Sequence, residues 1–148
     1  MIEKREVVQI KVACPGISPG VAKKVHIYVC AKKAYSAKRL VKCRSMKLSN
    51  IIWGAGVANY IVEKANAARN PFTRTTMIDC DRLFVADVSI PRSLLAGIRP
   101  DISQKLYDEV MEKITIGIPS RHKLPRDQMA ALNRLNRPEK RPEGENAD

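Results

Sequence analysis

Cationic side chains recur in this chain at the edges of apolar runs, where they can meet a phosphate without being buried. Lys42, Arg44 and Lys47 surround Ser45 in one short stretch, and Lys23 and Lys24 stand together before another. Arg74 and Arg82 flank the acidic segment Asp79-Cys80-Asp81. A guanidinium offers a rigid fork to two phosphate oxygens, and an ammonium offers a point charge. The chemistry is polyanion binding, and the whole chain leans the same way. Its 27 Lys and Arg outnumber 15 Asp and Glu, for a net charge of +12. A solvated basic surface is the plainer reading of the same residues. His26, with an ordinary pKa of about 6.5, suits a general base, yet it lies inside an apolar run where a structural histidine fits better. Trp53 and Tyr60 could stack on bases or fill the core.

Other chemistries are poorly served. Cys14, Cys30, Cys43 and Cys80 form no C-x-x-C pair, and His26 and His122 lie far apart, so the spacing predicts no metal site and no cofactor. Three of the cysteines sit in apolar strand-like runs and read as small core residues. Gly54-x-Gly56 is too short for a nucleotide loop. No apolar run reaches the roughly 18 residues of a membrane span. The opening Met-Ile-Glu-Lys-Arg-Glu carries no apolar stretch of a secretory signal, which predicts a cytoplasmic protein without disulfides.

Positioning these cations falls to a series of short strands. Glu6–Ala13 alternates Val8, Ile10 and Val12 with polar residues, a period-two pattern. A Pro/Gly loop follows from Cys14 to Gly20. Val25–Ala31 reads as the second strand, Lys32-Lys33 as a basic turn, and Arg39–Met46 as the third strand. A fourth strand is placed at Asn59–Glu63, a short helical turn at Lys64–Arg69, and a long, bulged fifth strand at Thr75–Val88. Asp101 with Gln104 resembles a capping box, and Ile102, Leu106, Val110 and Ile114 then mark the apolar face of a helix. The predicted class is α+β: a half-open, mostly antiparallel barrel of five strands with the helix packed on it. The domain is expected over 1–118, and 119–148, basic and broken by proline, as a largely disordered tail.

The order of these segments resembles the PemK/MazF family of toxin endoribonucleases. Lys24-Val25-His26-Ile27-Tyr28-Val29 fills the slot of the family's Arg-Pro-Val-Leu-Val-Ile strand. Thr76-Met77-Ile78-Asp79-Cys80-Asp81-Arg82-Leu83 is similar to the strand that ends in Cys-Asp-Gln. Asp87, the stretch Arg92–Leu95, Gly97 and the helix from Asp101 follow in the family's order, so the resemblance covers about residues 5–116.

The resemblance implies an SH3-like barrel, a homodimer, an acidic antitoxin as partner, and metal-independent cleavage of single-stranded RNA. In that reaction the 2′-hydroxyl attacks the adjacent phosphate while the protein moves protons and neutralises the phosphorane. Carried onto this chain, the catalytic roles fall to Lys24, Arg44, Ser45 and Asp81, and RNA binding to Lys23, Lys42, Lys47, Arg74 and Arg82. Lys24 replaces the family's Arg without a following Pro, and Asp79 stands where some members carry a second Arg. Those departures keep a second expectation open, a non-catalytic nucleic-acid-binding module on the same fold. A third is a protein-interaction subunit whose charge merely keeps it in solution.

Overall fold

The computed structural model describes residues 2–10, 26–34, 37–46, 58–86, 90–97 and 99–124. Among the described residues seven strands form one sheet: β1 (Val7–Ile10), β2 (His26–Ala34), β3 (Ala37–Ser45), β4 (Tyr60–Glu63), β5 (Thr76–Asp79), β6 (Arg82–Ala86) and β7 (Ser120–Lys123). A single α-helix among the described residues, α1 (Gln104–Gly117), packs against it. The class is α+β and the sheet is mostly antiparallel, only β6 and β7 running parallel. It is not closed, for the path β1-β2-β3-β5-β4 ends on strands that do not pair with each other.

Strand β3 organises the rest. It pairs with β2 along one side. On its other side Cys43–Ser45 pair with β5, and Lys38–Leu40 pair with β6. The single bulged strand expected over Thr75–Val88 is therefore two strands, separated at Cys80 and Asp81. The basic turn expected at Lys32-Lys33 is also strand, since Lys32 pairs with Arg39 and Lys33 with Lys38.

Both faces of the sheet are covered, which explains why Val7 and Val8 are both buried in a strand expected to be half-buried. Val29, Val41, Cys43, Ile78, Cys80 and Leu83 face Leu106, Val110 and Ile114 of the helix. On the other face Val8, Ile10, Tyr28, Cys30, Leu40 and Phe84 meet Ile2, Ile90, Leu94 and Leu124. Each fully buried aliphatic side chain contributes about 1.5–3 kcal/mol.

The helix starts later than its sequence signature indicates. Ser103 is the N-cap, its Oγ accepting the Leu106 N–H at 3.2 Å. Asp101 is occupied elsewhere: Arg5 reaches its carboxylate at 3.3 Å and Arg99 at 3.1 Å. At the far end Ile118 takes a left-handed conformation at φ 48°, which turns the chain back toward β6. A Cβ at Gly117 would overlap the Asn59 side-chain amide, which donates to Lys113 O at 2.8 Å.

The sheet also runs past the boundary expected at 118. Ser120–Lys123 align with Arg82–Val85, the Leu124 N–H donates to Val85 O at 2.8 Å, and Leu124 is fully buried. The packed unit reaches at least to Leu124. Among the described residues, no helix is long and apolar enough to cross a membrane.

Candidate nucleic-acid interface

Alternation along a strand decides which cations share a face. His26 and Tyr28 of β2, Lys42 and Arg44 of β3, Met77 and Asp79 of β5, and Arg82 and Phe84 of β6 all point to the face opposite the helix. Phe84, Tyr28 and Leu40 belong to the apolar half of that face, with Tyr28 and Phe84 edge-on at 5.5 Å. Beyond them the same face becomes polar. Tyr60 and Val62, opposite Asp79 and Met77 on β4, complete its rim at 42% and 48% exposure.

Arg44 is central. The register that pairs Ile27 with Cys43 sets it beside His26, and the pairing with Met77 sets it beside β5. Its Nη2 lies 3.8 Å from Asp79 Oδ2. That contact is an ion pair without a hydrogen bond: Arg44 Nε and Asp79 Oδ2 are both buried and both lack a hydrogen-bond partner among the described residues. Asp79 Oδ1, by contrast, accepts the Asp81 N–H at 2.9 Å. Two groups of opposite charge, each with an open hydrogen-bonding atom, form an incompletely satisfied centre.

The acidities follow from the surroundings. Burial pushes the Asp79 carboxyl above its ordinary value, against the Asp81 N–H and the charges of Arg82 and Arg44, which pull it down. Burial, then Lys42 and Arg44, hold the His26 imidazole below 6.5. His26 is thus neutral near pH 7 and able to accept a proton, while the neighbouring cations are placed to hold an anion.

Other arginines are already committed. Arg69 pairs with Glu63 at 2.9 Å, Arg92 with Glu6 at 2.8 Å, and Arg5 and Arg99 with Asp101. The Arg82 guanidinium has no hydrogen bond or ion pair within 4 Å among the described residues, though its charge is felt by Asp79. A cleft of about 540 Å³ between β4 and the end of α1 is lined by Glu109 and Glu112 with Lys113 and is unsuited to a polyanion.

Of the residues the sequence singled out, Lys42, Arg44 and Arg82 are brought together. Ser45 is not: it follows Arg44 in the strand, points to the opposite face and pairs with Thr76. Asp81 fastens a loop, its Oδ2 accepting the N–H groups of Ala58 at 2.6 Å and Asn59 at 3.2 Å. Arg74 is exposed and precedes β5, at the opposite end of that strand from Arg82. Lys23, Lys24, Lys47 and Trp53 lie outside the described residues. Asp79 was given no role from the sequence, and His26 was weighed there as a general base but read as structural. Their signal is parity, since both share a face with Arg44 once the pairing is known.

Among the described residues no three His, Cys, Asp or Glu side chains are grouped to hold a metal ion. No protein-family model matches the chain, and no curated protein does.

Proposed function

We propose that the chain is a metal-independent endoribonuclease acting on single-stranded RNA, of the PemK/MazF kind, with the open Arg44–Asp79 pair as its centre. The observation that carries this reading is the placement of Arg44 between a neutral-leaning imidazole and a buried carboxyl. Neighbouring strands are about 4.8 Å apart and successive same-face residues about 6.7 Å, so His26 and Asp79 are about 12 Å apart at Cα with Arg44 between them. A phosphate fits in that gap.

His26 takes the proton of the 2′-hydroxyl, whose oxygen forms the new bond to phosphorus. Arg44 and Lys42 stabilise the charge that collects on the phosphorane oxygens. As the bond from phosphorus to the 5′-oxygen breaks, the neutral form of Asp79, which burial favours, delivers its proton to that oxygen and is left as the carboxylate facing Arg44. The products are a 2′,3′-cyclic phosphate and a 5′-hydroxyl. On this reading the open sheet is an SH3-like barrel, the protein is a cytoplasmic homodimer, and an acidic antitoxin covers the basic face.

Induced expression in bacteria, with the RNA mapped by primer extension, tests the proposal. Growth arrest with discrete cuts is expected, and Arg44→Ala should abolish both. Binding of RNA without any cutting would instead favour the non-catalytic module. The turning away of Ser45 and the structural engagement of Asp81 give that second reading its weight. Each cation lost from the face should lower the salt slope of binding by about 0.7 in log–log form. Sedimentation at micromolar concentration checks the dimer.

A further inference from the structure

Strand β7 follows the helix and lies against β6, so residues beyond the expected domain end are drawn onto the basic face. The parallel register sets Ser120 beside Arg82 and His122 beside Phe84. Ser120 Oγ and His122 Nε2 share a 2.9 Å contact, and the Ser120 hydroxyl is also 3.3 Å from Asp81 O. The imidazole packs on Phe84 with ring centroids 5.8 Å apart. Ser120 is exposed and His122 half-buried. These side chains form a ready-made pair, one nitrogen and one hydroxyl, held in place by the ring beneath and the strand beside it.

We infer that Ser120, His122 and Arg82 form a second phosphate subsite, which holds the nucleotide next to the one at Arg44; this rests on the ribonuclease reading above. A hydroxyl rotates freely and an imidazole nitrogen can carry a proton, so both can turn from each other to an incoming oxyanion. Arg82, with no carboxylate of its own within 4 Å among the described residues, adds the charge-assisted donor. From Arg44 to Ser120 the distance is two strand spacings across and two residues along, about 12 Å at Cα. The subsite is therefore adjacent to the reacting phosphate and separate from it. The reaction itself needs neither Ser120 nor His122.

The test compares a short and a long single-stranded RNA oligonucleotide by fluorescence anisotropy, using the full chain. Ser120→Ala removes the hydroxyl. His122→Phe keeps a ring against Phe84 and removes the nitrogens, so a loss of packing is not mistaken for a loss of binding. Wild-type protein should bind the long oligonucleotide more tightly than the short one. In each variant that gain from length should shrink about two- to tenfold, the worth of one net hydrogen bond. An undiminished gain in both variants overturns the subsite, and if Arg44→Ala still weakens both oligonucleotides the ribonuclease face survives. A wild-type protein that binds neither RNA overturns both readings.

Discussion

Ending the chain after Pro119 should cost most of the domain's stability, although a sequence reading puts the tail there. Two contributions can be worked out. Leu124 is fully buried among Ile2, Ile90 and Phe84, and emptying such a site costs about 2–5 kcal/mol. The ladder to β6, including Ser120 N–H to Asp81 O at 3.0 Å and Leu124 N–H to Val85 O at 2.8 Å, adds net bonds of about 0.5–1.5 kcal/mol each. Together these approach the lower end of the roughly 5–15 kcal/mol that holds a small domain folded. The comparator is a chain ending after Leu124, and the assay is urea unfolding followed by far-UV circular dichroism. Leu124→Ala in the full chain should lower the midpoint by about 1–2 M, given slopes of about 1–3 kcal/mol per molar urea. Equal midpoints for the two truncated chains would make β7 an appendage rather than part of the core.

Asp79→Asn should leave stability at neutral pH unchanged or raise it, because burial disfavours the charged carboxylate, while RNA cleavage falls; destabilisation by more than about 1 kcal/mol would contradict the balance drawn here. His26 has the opposite sign on acidification: its folded pKa is below the unfolded 6.5, so the unfolded chain takes up protons first and stability is lost as pH falls below about 6.5. His26→Gln should flatten that part of a pH–stability curve. If His26 is the base, kcat/KM should show an acid limb with a midpoint under 6.5, and a limb above that value excludes it. Burial raises the Cys43 thiol strongly and the Cys80 thiol to about 12, so neither should be alkylated at neutral pH until the protein unfolds, as peptide mass mapping will report.

Several of these features are legible in the sequence because they are local. Alternating Val and Ile residues mark β1 and β2, and the spacing of Leu106, Val110 and Ile114 marks the buried stripe of α1. The excess of Lys and Arg marks a basic surface in any fold. What the sequence leaves open is which residues meet. Arg44 and Ser45 are neighbours in the chain, yet a strand sends them to opposite faces, while Arg44 and Asp79 are distant in the chain and meet across a register. The N-cap moved from Asp101 to Ser103 because the distant Arg5 and the nearby Arg99 claim the Asp101 carboxylate. Ser120–Leu124 reads as tail because its strand is short and basic, and only β6 gives it a partner and Leu124 a cavity to fill. Composition and periodicity thus determined the charge, the helix and most of the strands, because these depend on near neighbours alone. Strand pairing decided the site, because cross-strand contacts depend on register, which no local pattern encodes.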